Sequence, residues 1–489
     1  MKSPNTLLAS ISFLLMGLIG PQNLEASASS PTDHTNFVII LADDLGYGDL
    51  GCYGGARGYQ TPEIDRMAAE GVLLTDFYAP DSICTPSRAG LLTGRLAERM
   101  ATDMKVFFPW SLTGMPEEEV TIAEMLKTKG YATAMIGKWH LGHLPQFLPT
   151  EQGFDLFWGI PYSNDMSQDG GVPAADDVRF FEGMTLEDYQ SYRPSAKMEE
   201  DPDYRGFRDP KYRVFRNKVP LMSGTEVTEW PVDQAELTRR YTEKAVEFIE
   251  ANADRPFFFV LAHTMPHIPL FVSEKFSGES ERGLYGDVIE EMDWSVGRVL
   301  ETLRSYGLDE NTLVVFTSDN GPWKSMGENG GSAGPFRDGK GSSYEGGFRV
   351  PGIFWLPGSI PAGKTSAFIS SQLDLLPTFA AISGAEIPDR PLDGVNISQA
   401  LAGNKNDLPE VFVYNNRNVI RMGNWKYRKG LTHGIWSGYP RDFENPEVEQ
   451  LFNLEDDPGE QVNLIEQYPE KTDALKSYLN QFRTQAFDQ

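Results

Sequence analysis

The sequence predicts an α/β protein: a large mixed, mostly parallel sheet flanked by helices, followed by a smaller α+β region. Three observations lead there. Apolar runs such as Phe37–Ala42, Pro256–Ala262 and Thr312–Thr317 are almost unbroken, as strands buried on both faces require. Amphipathic helical patterns lie between them. Polar side chains follow directly after four of the runs, at the strand ends where open α/β sheets bind ligands.

The chain opens on an address. Lys2 precedes the apolar run Leu7 to Ile19, then Gly20-Pro21, and Ala26-Ser27-Ala28 supplies a small-residue cleavage pattern. Residues 1–28 are therefore expected to be a signal peptide, and the protein exported, periplasmic or secreted. An N-terminal anchor is the alternative, but the run is shorter than the ~20 residues that span a bilayer. No later stretch is long and apolar enough, so no stable membrane anchor is expected.

Residues 36–400 are expected to form the main domain. Phe37–Ala42 is its first strand and ends at Asp43-Asp44. Thr61-Pro62 opens a helix that Gly71 closes. Thr121 and Glu124 form a capping box, with Ile122, Met125 and Leu126 on one face. Tyr131–Ile136 is a strand delivering Lys138 and His140 in a glycine-flanked loop. Asp233 and Glu236 cap a helix reaching about Ala251. The strand Pro256–Ala262 leads to His263 and His267. Val288, Met292, Val296, Val299 and Leu303 mark a further helix, and Thr312–Thr317 leads into Asp319-Asn320. One more helix is predicted near Asp374–Ile382. Residues 405–489 are expected to form a small C-terminal domain, with short antiparallel strands at Val411–Tyr414, Val419–Met422 and Trp425–Lys429 and a terminal helix from about Pro469 to Phe482.

Composition excludes several classes. The 489 residues carry 43 Lys and Arg against 70 Asp and Glu, a net charge of −27 that opposes a nucleic-acid partner. Two cysteines, Cys52 and Cys84, rule out a disulfide framework or a cysteine-rich zinc module.

The strand-end residues suggest chemistry. Asp43, Asp44, Asp319 and Asn320 are hard oxygen ligands suited to Ca²⁺ or Mg²⁺; alone, either pair would more simply cap its loop. His140 and His267, two of only six histidines, suit acid–base work once placed beside such a site. Gly334 to Lys340 imitates a phosphate loop, but Gly341 stands where Ser or Thr should hold Mg²⁺, leaving Lys340 as an anion-binding lysine. Cys84-Thr-Pro-Ser-Arg88 sits at a predicted helix start, where an anion is welcome and Arg88 falls one turn on. A free cysteine or a plain cysteine nucleophile would also fit these residues.

The run Cys84-Thr-Pro-Ser-Arg-Ala-Gly-Leu-Leu-Thr-Gly94 resembles the signature of the type I, formylglycine-dependent sulfatases. Asp43 to Gly54, Gly137-Lys-Trp-His-Leu-Gly142, Gly159 to Ser163, Thr317 to Gly321 and Lys340 with Glu345-Gly-Gly resemble the same family, particularly its arylsulfatase A and N-acetylgalactosamine-6-sulfatase branches. A weaker likeness lies at Trp425-Lys426 and Leu451 to Pro458. The resemblance implies an alkaline-phosphatase-like fold, a catalytic domain over 36–400, and hydrolysis of sulfate esters. It implies Ca²⁺ held by Asp43, Asp44, Asp319, Asn320 and a formylglycine made from Cys84 by a formylglycine-generating enzyme. It further implies that Arg88 steadies that group, Lys138 and Lys340 bind sulfate oxygens, His140 and His267 move protons as base and acid, and Ser163 touches substrate. Phosphate or phosphonate monoester hydrolysis and a non-catalytic glycan-binding role are the alternatives.

Residues 164–232 match the family least. They carry Arg179, Arg193, Arg205, Arg208, Arg213 and Arg216 among Phe180, Phe181, Tyr189, Tyr192, Tyr204 and Tyr212. Such a strip suits a sulfated carbohydrate, weakly of galactose type; a solvated insertion whose arginines pair with the chain's own acids is the alternative.

Overall fold

The computed structural model describes residues 34–101, 104–167, 172–181, 183–192, 218–404, 408–414, 418–429 and 448–487. The expected signal peptide lies outside them, as do Arg193, Arg205, Arg208, Arg213, Arg216, Tyr204 and Tyr212.

Seventeen strands are described, numbered here in chain order. Those of the main sheet are β1 (Asn36–Ala42), β2 (Val72–Leu74), β4 (Ala132–Lys138), β5 (Leu156–Ile160), β6 (Ala174–Phe180), β7 (Leu221–Ser223), β8 (Glu226–Trp230), β9 (Phe257–Ala262), β10 (Thr312–Ser318), β11 (Gly352–Trp355) and β12 (Lys364–Ser366). They lie in the order β12-β2-β11-β10-β1-β9-β4-β5-β7-β8-β6. The five central strands, β10 to β5, are mutually parallel. Antiparallel pairing begins at β11 on one side and β7 on the other. β3 (Phe77–Tyr78) and β13 (Ser370–Ser371) form a separate short parallel pair.

Alternation explains the layering. Along β1, Phe37, Ile39 and Leu41 enter one core with the helices Cys84–Thr93, Ile122–Lys127 and Leu375–Ser383. Val38, Ile40 and Ala42 enter the other with Pro62–Glu70, Leu237–Ala251 and Leu284–Ser305. Every β1 residue is buried, which is why the run reads as continuously apolar.

The expected capping box forms at Thr121 and Glu124. Thr61 does precede its helix, but its hydroxyl donates to Asp65 (3.0 Å) and accepts from Gly51 N–H (2.9 Å) instead of capping. β4 extends through Lys138, so that lysine ends a strand; it does not lie in the following loop. The poorly matched region 164–232 is not only an insertion: β6, β7 and β8 extend the main sheet. Tyr189 and Tyr192 are buried edge-on against Trp230 and are therefore not open to a sugar, while Arg179 pairs with Glu229 at 2.5 Å.

Near the C-terminus β14 (Val411–Tyr414), β15 (Val419–Met422), β16 (Trp425–Arg428) and β17 (Gln450–Asn453) form an antiparallel meander. Leu475 and Leu479 of the helix Pro469–Phe487 pack on Val413, Ile420, Tyr427 and Leu451.

Candidate active site

All five parallel strands deliver side chains to one place. Asp43 and Asp44 follow β1, Lys138 ends β4, Ser163 follows β5, His267 follows β9, and Asp319 and Asn320 follow β10. Cys84 is the first residue of its helix and Lys340 lies in a loop between β10 and β11. Each of these side chains is buried.

Ligand atoms of Asp43, Cys84 and Asp319 lie within 4.8 Å of one another. Lys138 Nζ donates to Asp43 Oδ2 (2.5 Å) and to Ser163 Oγ (3.2 Å). Lys340 Nζ donates to Asp44 at 2.8 Å and stands 4.6 Å from the centre of the Trp323 ring. Arg88, one turn after Cys84, donates from Nε to Asp319 Oδ2 (2.9 Å) and from Nη1 to the Lys138 carbonyl (2.7 Å). Asn320 Nδ2 donates to Asp44 Oδ1 (2.7 Å).

Two oxygens lack a hydrogen bond, although Arg88 Nη2 stands 3.7 Å from the first of them, Asp43 Oδ1. Asp43 Oδ1 and Asn320 Oδ1 are buried with no hydrogen-bond partner among the described residues. Buried oxygens are ordinarily satisfied, so a carboxylate and an amide oxygen left without hydrogen bonds beside the Asp319 carboxylate fit a cation. The electrostatics agree. Burial lifts Asp44, and burial with the neighbouring Asp43 pushes Asp319 up to about 7. Burial would lift Asp43 too, but Lys138, His267, Arg88 and Lys340 outweigh it and hold that carboxyl low. The donor set of carboxylates and an amide carbonyl fits a hard ion such as Ca²⁺.

The histidines differ. His140 Nε2 donates to the Phe107 carbonyl (3.0 Å), so the neutral ring carries its proton there and Nδ1 remains a buried acceptor without a partner among the described residues. Burial, then Lys138 and Arg88, hold it well below the ordinary histidine range. His267 donates from Nδ1 to the Ile268 carbonyl (2.6 Å), leaving Nε2 3.7 Å from Asp44 Oδ2. His263, next past β9, turns away: its Nε2 meets Ser295 Oγ at 3.2 Å inside the core.

Backbone strain marks the same place. Asp44 (φ 65°) and His140 (φ 63°) occupy the left-handed region that non-glycine residues avoid, at a cost of roughly 1 kcal/mol or more each. Gly137 must be glycine, because a Cβ there would meet the Ala262 carbonyl oxygen at 1.9 Å.

Trp323 and Phe107 were not singled out by sequence reasoning. Trp323 contacts both Lys340 and His267, the latter at 5.4 Å between ring centres. Its signal was available: an aromatic three residues beyond a strand-end Asn. Phe107 acts through its backbone, which no residue type reveals.

Sheet order and site together place the protein among the hydrolases of the alkaline-phosphatase-like fold. The Sulfatase family matches residues 35–385, more than half of the chain; the protein belongs to that family and is a sulfuric ester hydrolase. Human (Homo sapiens) arylsulfatase A is 39% identical over 450 residues, covering 88% of this chain and 83% of its own. The N-acetylgalactosamine-6-sulfatase of Canis lupus familiaris is 35% identical over 475 residues, covering 90% and 84%. Among solved structures, the crystal structure of Ps i-CgsB in complex with k-i-k-neocarrahexaose superposes with a TM-score of 0.72 at 29% identity over 92% of both chains.

Proposed function

We propose that this sulfatase desulfates a carbohydrate of galactose type, using a formylglycine made from Cys84 by a formylglycine-generating enzyme and a Ca²⁺ ion held by Asp43, Asp44, Asp319, Asn320 and residue 84. The observation that carries the reading is the meeting of Asp43, Cys84 and Asp319 within 4.8 Å beside two lysines and two bare oxygens. The substrate class is supported by an amino-sugar sulfatase among the relatives and an oligosaccharide in a similar structure. The chain is taken to be exported after loss of residues 1–28, with catalytic residues in 36–400 and a small domain over 405–489. No described helix is long and apolar enough to cross a membrane.

Held by Asp43, Asp44, Asp319 and Asn320, a Ca²⁺ would offset charge on the ester oxygens, and a hydrated formylglycine at position 84 would supply one hydroxyl as nucleophile and a second for release of sulfate. The chain's own residues do the rest. Lys138 and Lys340 bind ester oxygens, exchanging part of their contact with Asp43 and Asp44 for the substrate. Arg88 fixes Asp319 and, through the Lys138 carbonyl, the end of β4. Ser163 orients Lys138. His140 Nδ1, bare and unprotonated, takes a proton from residue 84 as base. His267 donates to the leaving alcohol from Nε2, which requires the imidazolium; burial, then Lys340, hold this ring well below the ordinary histidine range against the pull of Asp43, so the proton is taken up with the arriving anion.

The test combines chemistry and composition. Protein made with a formylglycine-generating enzyme should show the modified residue 84 by peptide mass spectrometry and calcium by elemental analysis. It should release sulfate from 6-sulfated galactose or N-acetylgalactosamine. Full activity from Cys84→Ala, or faster turnover of the matching phosphate ester, would falsify the reading.

A further inference from the structure

The segment after the helix that bears Cys84 builds part of the site wall through its backbone. Phe107 N–H donates to Thr85 Oγ1 (3.2 Å) and its carbonyl accepts from His140 Nε2 (3.0 Å). Eight residues on, Met115 N–H donates to the Leu141 carbonyl (2.9 Å). The stretch 107–115 therefore leaves and rejoins the loop that carries His140.

Between those anchors lies a closed turn, Phe108-Pro109-Trp110-Ser111. Ser111 N–H donates to the Phe108 carbonyl (2.8 Å), and Phe108 N–H donates to Ser111 Oγ (2.8 Å). Pro109 at the second position fixes its own φ. The result is a parallel stack of the Phe108 and Trp110 rings, centroids 4.7 Å apart and planes at 0°. Trp110 nonetheless stays 45% exposed, and Leu112 beside it 79%. This apolar face stays open three residues along the chain from Phe107, the residue that holds His140. It is continuous with the residues that hold His140, so its occupant is the remainder of the same substrate.

We propose that this turn is a sugar-binding platform taking the pyranose ring adjacent to the sulfated one; the inference rests on the carbohydrate reading above. A pyranose presents a flat face of C–H groups with hydroxyls at its edge, which matches an indole face bounded by solvent. The stack is formed before the ligand arrives, so little further ordering is required on binding. The contact is remote from sulfur and equal in ground and transition states, so it acts on KM and not on kcat.

The experiment compares Trp110→Ala, Trp110→Phe and the parent enzyme on three substrates: a sulfated oligosaccharide, the matching sulfated monosaccharide and an aryl sulfate. Trp110→Ala should raise KM for the oligosaccharide by about tenfold, equivalent to about 1.4 kcal/mol, with kcat nearly constant. The monosaccharide and aryl sulfate should be unaffected, and Trp110→Phe should retain most of the affinity. An unchanged oligosaccharide KM in Trp110→Ala overturns the platform while leaving the carbohydrate reading intact. So does an equal loss on the monosaccharide. A loss confined to the aryl sulfate assigns the face to an apolar aglycone and overturns the sugar. A parent enzyme that cleaves only the aryl sulfate ends the carbohydrate reading, and this one with it.

Discussion

His140 enters the site with one ring nitrogen committed to Phe107 and the other bare. That asymmetry sets a pH expectation. A base works only when unprotonated, and burial followed by Lys138 and Arg88 keeps this imidazole unprotonated through the ordinary histidine range. The His140 contribution to kcat/KM should therefore persist as pH falls through about 6.5, and be lost only well below it. A pH–rate profile in which His140→Asn removes a limb centred near 6.5 contradicts this. Sequence reasoning assigns His140 and His267 to the site because few histidines follow strands, and gives His263, which also follows one, no role. The His140 and His263 rings are both buried, but His263 faces Ser295 in the core while His140 faces the site, and nothing in the local sequence announces on which side of the sheet a residue past a strand end will emerge.

At the scale of elements, the turn Glu345–Phe348 ties the site to the C-terminal meander. Gly321 N–H, next to Asn320, donates to the Gly347 carbonyl (3.0 Å), and a Cβ on Gly321 would meet the Gly346 oxygen at 1.8 Å. Below, Lys426 Nζ lies wholly buried between Glu345 Oε1 (3.0 Å) and Glu460 Oε1 (2.7 Å), and Glu460 accepts the Glu345 N–H (2.6 Å). Removing one member of such a group strands buried charge, at about 3–5 kcal/mol. Lys426→Met should lower the thermal midpoint by several degrees. It should also lower activity per folded molecule, through the loop that carries Lys340. A destabilised variant with unchanged kcat by active-site titration confines Lys426 to a structural role. Strands β1, β4, β9 and β10 were legible as near-continuous apolar runs. β5 was not, because Trp158-Gly159 interrupts it, and Gly159 is small for a reason visible only in three dimensions: its Cβ would strike the Gly137 oxygen at 1.9 Å. β6 and β8 were hidden because Ala-Ala-Asp-Asp-Val-Arg-Phe and Glu-Val-Thr-Glu-Trp read as polar, as strands near a sheet edge do.

Over the whole molecule, charge opposes encounter with substrate. The chain carries −27, while in the site Lys138, Lys340 and Arg88 are matched by Asp43, Asp44 and Asp319. The site's side chains supply no surplus; the proposed Ca²⁺ would add positive charge that acts only at short range, so the net charge governs the distant approach. Raising ionic strength from about 0.01 to about 0.15 M should increase kcat/KM for an anionic saccharide, because salt screens repulsion. A fall over that range indicates a positive local field instead. The buried lysine described above also has a consequence in time. Glu345 and Glu460 are 115 residues apart. At roughly 5–20 residues per second, a ribosome needs about 6 to 23 s to travel between them. During that interval the loop bearing Lys340 has been made but its lower anchor has not, so a residue made 115 positions later completes the support of a loop in the site.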